Sequence, residues 1–138
     1  MVIDTSAILA ILLDEPEADT FSDAIEKAST RLISAATLLE ATMVLEARKG
    51  PDGGRALDLF VYRTGAQIVA FDAPQAETAR AAWREFGKGR HPAALNFGDC
   101  FAYALAKARQ DALLFKGEDF AKTDLELHRA GFGIARPT

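Results

Sequence analysis

Residues 95–120 read LNFGDCFAYALAKARQDALLFKGEDF, and this stretch decides the fold. Asp99 opens a helical pattern in which Ala102, Leu105 and Ala106 share a narrow apolar face, with Phe101 and Ala108 beside it. A carboxylate at a helix start faces free N–H groups and is favoured by the helix dipole. After Gln110 the pattern becomes a short apolar run, Ala112 to Phe115, long enough for a buried strand. Lys116-Gly117-Glu118-Asp119 then leaves that strand in an acidic loop, and Phe120 is the apolar anchor behind it. Helix, parallel strand and acidic strand exit make half of a doubly wound sheet, whose chemistry lies at the carboxyl ends of the strands.

Working outward, the same punctuation recurs. Val2-Ile3 predicts a first strand ending at Asp4, and Thr5 or Ser6 is expected to cap a helix through Ala7 to Leu13. Pro16 interrupts that helix, and a second runs from about Glu17 to Ala28. Arg31 to Ile33 predicts strand two, followed by a long helix to Lys49 that carries Glu40. Met43, Val44 and Ala47 follow Glu40 at helical spacing, so Glu40 is expected on an apolar, buried side. There a carboxylate is costly unless it is paired or bound to a metal. Glu46 lies about 240° round the helix from it and shares no face with it.

Gly50 to Gly54 reads as a break, and Arg55 to Tyr62 as a helix with Leu59 and Tyr62 inward. Gln67 to Phe71 predicts strand three, and Asp72 with Pro74 starts a helix to Phe86. Gly87 to Pro92 is a basic turn. Beyond Phe120, Thr123 and Asp124 are expected to cap a short helix, and Gly131 to Ala135 to form a last strand.

Composition narrows the class. The chain has 138 residues, 49% of them hydrophobic, and a formal net charge of −4, which suits one compact domain and not a non-specific nucleic-acid binder. The single cysteine, Cys100, excludes an internal disulfide and fits a reducing, cytoplasmic setting. The apolar stretch Ala7 to Leu13 is too short to cross a bilayer, so no membrane association is expected.

Four acids therefore stand at positions the fold can bring together: Asp4, Glu40, Asp99 and Asp119. Crowded carboxylates repel unless cations compensate, and hard oxygen donors favour Mg²⁺ or Mn²⁺ over Zn²⁺. Such a cluster suits phosphodiester cleavage by metal-activated water. Thr5 or Ser6 is expected to orient Asp4 or a metal-bound water. Arg48 with Lys49, and Lys88 to Arg90, are candidate cationic contacts. A phosphatase using Asp4 as nucleophile is the alternative enzyme. The haloacid dehalogenase type requires a second Asp two residues on, where this chain has Ser6. A binding module with structural acids is a third class, distinguished by lacking an acid-dependent metal site.

The segments VIDTSA, ISAATLLEA, LNFGDCFAYALAKA and LLFKGEDFAKTDL, in this order, resemble the PIN-domain ribonucleases, specifically the VapC-type toxins of bacterial type II toxin–antitoxin pairs. The resemblance covers nearly the whole chain. It implies a single α/β domain over residues 1–138, a three-layer α/β/α architecture with a central, mostly parallel sheet, and a Mg²⁺-dependent endoribonuclease with Mn²⁺ as substitute. It also implies a homodimer and a cognate VapB-type antitoxin that covers or disturbs the site. Asp4, Glu40, Asp99 and Asp119 match the family's acidic quartet, and Thr5 or Ser6 its small hydroxyl residue. Apolar helices around Leu38 to Leu45 and Leu57 to Tyr62 are the expected dimer surface.

Overall fold

The computed structural model describes the backbone of residues 1–128 and 134–137, and the side-chain surroundings of residues 1–125. Strand β1 is Val2–Ile3, β2 Leu32–Ser34, β3 Gln67–Val69, β4 Leu113–Leu114, β5 Leu125–His128 and β6 Ile134–Pro137. They form one sheet in the order β3-β2-β1-β4-β6-β5. The first four are parallel, with Val2 opposite both Leu32 and Leu113; β6 pairs antiparallel with β4 and with β5.

A pair of helices fills each parallel crossover. Helices α1 (Thr5–Leu12) and α2 (Ala18–Lys27) follow β1; α3 (Ala35–Lys49) and α4 (Pro51–Thr64) follow β2; α5 (Ala73–Phe86) and α6 (Phe97–Arg109) follow β3. Side chains alternate across a strand, and the cores divide accordingly. Val2, Leu32 and Leu113 pack with α5 and α6 on one face. Ile3, Ile33 and Leu114 pack with α1 to α4 on the other. The result is the expected three-layer α/β/α arrangement with a mostly parallel sheet. Strands of two or three residues suffice for β1, β2 and β4 because they are buried throughout, whereas the edge strand β3 is exposed at Gln67 and Ile68. Truncating Leu113 or Leu114 to Ala is expected to cost about 2–5 kcal/mol.

The chain steps from β1 to β2 and β3 on one side of β1, while β4 lies on the other. That reversal puts the topological switch point between β1 and β4, next to Asp4.

Several local expectations are corrected. Helix α1 is capped by Asp4, whose carboxylate accepts from the Ser6 amide, so Thr5 and Ser6 are already helical. Strand β2 takes in Ser34 and leaves Arg31 outside, its guanidinium donating to the Ile25, Glu26 and Thr64 carbonyls. Helix α4 begins at Pro51 and runs through Gly53 and Gly54. A Cβ on Gly53 would stand 2.4 Å from the Leu45 carbonyl oxygen, so this glycine permits close approach of α3 and α4 and does not break the helix. The inward face of α4 is then Gly53, Leu57 and Phe60, and Leu59 and Tyr62 point outward. Strand β3 stops at Val69.

Residues 125–128 form a strand where a helix was expected. Asp124 is engaged by the Tyr103 hydroxyl at 2.5 Å and the Lys107 ammonium at 2.7 Å, and the segment pairs with β6. Of the expected last strand, Ile134 and Ala135 lie in β6; residues 131–133 lie outside the described residues.

Candidate active site

Asp4 sits at the carboxyl end of β1 and is only 3% exposed. Its Oδ2 accepts from the Ser6 amide at 3.0 Å and from the Ser6 hydroxyl at 2.6 Å. The Ser6 oxygen in turn accepts from the Lys116 amide at 2.8 Å. One hydroxyl thus joins the start of α1 to the exit of β4 across the switch point. Ser6 orients Asp4, and Thr5 does something else: its hydroxyl donates to Oε1 of Glu40.

Glu40 is half-buried, and the structure corrects its surroundings. The buried face of α3 is Thr37, Ala41 and Leu45, whereas Met43 is 64% exposed. Glu40 therefore stands at the edge of the buried face, with its carboxylate turned toward α6. A Cβ on Gly98 would lie 1.9 Å from Glu40 Oε2, so the missing side chain of Gly98 is the space that the carboxylate occupies.

Asp99 lies in the first turn of α6 but does not cap it. Asn96 is the N-cap; its Oδ1 accepts from the Asp99 amide at 2.9 Å, and Asp99 Oδ2 accepts from the Asn96 amide at 3.0 Å. This reciprocal capping box locks the Asp99 side chain. The spacing Asn96-x-x-Asp99 carries that signal in the sequence, as does the glycine immediately before Asp99.

Asp119 is exposed and follows the β4 exit. Phe120 behind it is buried and packs edge-on against Phe115 at 5.0 Å, as expected for an anchor. Gly117 has φ +102°, a left-handed value that lets the loop turn.

The electrostatics join the four acids. Burial raises Asp4 from the ordinary 3.8 to about 6, against the hydrogen bonds from Ser6, and the charge of Glu40 adds to the rise. Burial likewise raises Asp99 to about 7, against the Asn96 amide, with Asp4, Asp119 and Glu40 each adding. All four acids therefore share one field at the sheet edge.

The donor set is hard oxygen throughout, and the adjacent Cys100 thiol is pushed up to about 11 by burial and by Asp99, which keeps it protonated and poor as a ligand. These residues fit a hard divalent cation. Among the described residues no three His, Cys, Asp or Glu side chains converge on one point at ligating distance.

Of the candidate cations, Arg48 and Lys49 are exposed at the far end of α3, roughly 12 Å along the axis from Glu40. The 88–90 loop is nearer the start of α6. Backbone hydrogen bonds from Leu95 to Phe86 and from Lys88 to Leu95 close it directly ahead of Asn96. Lys116, not singled out from the sequence, pairs with Glu15 at 2.6 Å and Glu17 at 3.2 Å.

The family model of the PIN domain matches residues 1–126. The chain belongs to the PIN-domain family. It is 56% identical over 125 residues to ribonuclease VapC30 of Mycobacterium tuberculosis, an alignment covering 91% of this chain and 95% of that one. This places the PIN domain described here in the VapC ribonuclease branch. Among solved structures, M. tuberculosis VapC20, a toxin cleaving the sarcin–ricin loop, superposes with a TM-score of 0.70, covering 87% of this chain and 92% of that one. VapBC2 of Rickettsia felis, bound to a DNA fragment from its promoter, superposes with a TM-score of 0.71, covering 87% and 89%. Both are 19% identical to this PIN domain and bear on the fold alone. No helix among the described residues is long and apolar enough to cross a membrane.

Proposed function

We propose that this chain, as one PIN domain over residues 1–138, is a Mg²⁺-dependent endoribonuclease that also accepts Mn²⁺. Asp4, Glu40, Asp99 and Asp119 are the metal-holding, catalytic acids. The observation that carries the reading is the electrostatic coupling of these acids near the switch point: burial raises Asp4 and Asp99 well above the usual carboxylate range, and Asp4, Asp119 and Glu40 add to the rise at Asp99. A bound dication would relieve that repulsion, activate water and stabilise charge on the phosphoryl oxygens. The chain's own part is to present the ligands in place. Ser6 holds Asp4, Thr5 and the Gly98 recess aim Glu40, and the capping box fixes Asp99. The test is incubation of antitoxin-free protein with structured RNA, with Mg²⁺, Mn²⁺ or chelator, beside Asp99→Asn. Cleavage surviving both chelation and the substitution overturns the reading.

A cytoplasmic ribonuclease of this kind needs restraint, and its place in the VapC branch, at 56% identity to ribonuclease VapC30, supports a VapB-type antitoxin as the cognate partner. A basic side chain inserted among the acids would mimic the metal's charge. Expression of the chain alone is then expected to slow growth while Asp4→Ala does not; equal growth at matched protein levels counts against toxicity. We also propose a homodimer through the outer faces of α3 and α4. Leu39 and Met43 are exposed on α3, and Leu59 and Tyr62 on α4. Large exposed apolar side chains on adjacent helices mark an association surface. A concentration-independent monomer mass in light scattering would refute it.

A further inference from the structure

A second feature adjoins the acid cluster and has no part in holding a metal. Between α5 and α6 lies an open groove of about 440 Å³, walled by Phe71, Trp83, Phe97 and Phe101 and flanked by Arg80 and Arg84. Its rings are in register: Phe71 meets Phe101 edge-on at 4.6 Å, and Phe97 meets Phe101 at 4.8 Å. Phe97 is 81% exposed, although it opens α6 only two residues before Asp99. Trp83 is half-exposed, and the Arg90 guanidinium lies 4.2 Å over its ring.

An exposed phenyl ring at the rim of a hydrolytic site costs solubility and contributes nothing to the core, so its position asks for a ligand with a flat apolar face. The surrounding charge selects among such ligands. In a chain of net charge −4, three guanidinium groups gather around this one groove. Arg80 is paired with Glu77, and Arg84 makes no ion pair among the described residues. Aromatic faces beside arginines suit an unpaired nucleobase and its phosphates. An apolar peptide would leave Arg84 without a partner.

We propose that the Phe97 groove is a nucleobase subsite. It takes one unpaired base of the RNA, stacked on Phe97, with the adjoining phosphate met by Arg84. This rests on the ribonuclease reading and deepens it. Phe97 and Asp99 lie about 200° apart round α6, so the groove and the acids occupy different faces of that helix, and the subsite selects RNA whose bases are unpaired.

Trp83 is the only tryptophan of the chain and stands in the groove wall, so its emission reports on occupancy. The experiment titrates the full chain, in chelator, with a short single-stranded oligoribonucleotide and with an abasic oligomer of equal length and charge. The expected result is saturable quenching by the first, weakened roughly 10-fold or more in Phe97→Ala, and little response to the second. Phe97→Leu keeps the apolar volume and removes the ring, and is expected to fall between wild type and Phe97→Ala. Circular dichroism checks that both variants fold. With Mg²⁺, Phe97→Ala is expected to raise KM for the oligomer more than it lowers kcat.

Equal RNA affinity in wild type and Phe97→Ala overturns the subsite, as does equal quenching by the abasic oligomer. A fall in mass from dimer to monomer in Phe97→Ala with RNA affinity intact assigns the groove to a second copy and also overturns it. Asp99-dependent cleavage without a Phe97 effect sinks the subsite and leaves the nuclease standing. Phe97-dependent quenching without Asp99-dependent cleavage does the reverse.

Discussion

The two sides of the acid cluster are built differently. On one side Asp4, Glu40 and Asp99 are each held by a named neighbour: Ser6, Thr5 and the Asn96 capping box. They stand on a strand end and two helices whose inner faces are core. On the other side Asp119 stands on an exposed loop, positioned by the residues just after it in the chain. Phe120 is seated against Phe115, and Asp124 is tied to Tyr103 and Lys107. Three of the acids are thus fixed before any ion arrives, and for Asp4 and Asp99 this goes with raised pKa values, while Asp119 is the one whose support is an exposed loop. Pre-organisation lowers the entropy lost on binding, and it is efficient only for groups whose supports are already buried.

The sharpest way to break the fixed side is Gly98→Ala. A methyl group there occupies the space of the Glu40 carboxylate and displaces it from Thr5. The displaced atoms are the end of a side chain, and Ala favours a helix over Gly by about 1 kcal/mol. Cleavage is expected to fall on the order of 100-fold, the effect of misplacing a catalytic group by about 1 Å. The melting midpoint should change little. Full activity in a folded Gly98→Ala protein would remove Glu40 from the working site.

The exposed side is sharpened by comparing two neighbours. Asp119→Asn is expected to weaken Mn²⁺ binding about 10-fold by calorimetry, a typical cost for one ligand or its support. Glu118→Gln should change it little, because Asp119 and not Glu118 adjoins the buried Phe120 anchor. The opposite ranking would mean that the loop presents Glu118.

The smallest effect is on stability, and its sign comes from the raised acids. Asp4 and Asp99 hold protons more tightly folded than unfolded, so metal-free stability falls as pH rises from the ordinary carboxylate range through about 6 and 7. Asp111 and Asp124 go the other way. Burial opposes their ionisation, but it is outweighed by the N-terminal ammonium, Thr30 and Ala112 for Asp111, and by Lys107 and Tyr103 for Asp124. Their contribution is lost only as pH falls below the ordinary range. Between about pH 5 and pH 8 the first pair decides, and the metal-free midpoint is expected to be roughly 5 °C higher at pH 5. Saturating Mg²⁺ should shrink the gap. A higher metal-free midpoint at pH 8 would contradict the raised values.

Local reading went astray where a tertiary contact overrode a local signal. Gly53 and Gly54 look like a helix break and are a helix-packing notch. Leu59 and Tyr62 look inward by local spacing, but the close approach of α3 at Gly53 selects the face that Gly53 shares with Leu57 and Phe60. Thr123 and Asp124 look like a cap, and Asp124 is taken by α6 while the segment after it joins the sheet.

The resemblance to the PIN family supplied the three-layer architecture, while local patterns carried the alternation of strands and helices, the parallel α/β class and the choice of four candidate acids. Those are written in periodicity and in residue type at strand and helix ends, which depend on neighbours within a turn or two. Only the tertiary structure decided that Ser6 serves Asp4 while Thr5 serves Glu40, that Gly98 is the recess for Glu40, and that Phe97 stands exposed beside Asp99. Thr5 and Gly98 each meet Glu40 from segments far apart in the chain, and the exposure of Phe97 follows from how α6 packs. Which atoms meet there depends on how the helices pack over the sheet, and no local pattern carries that information.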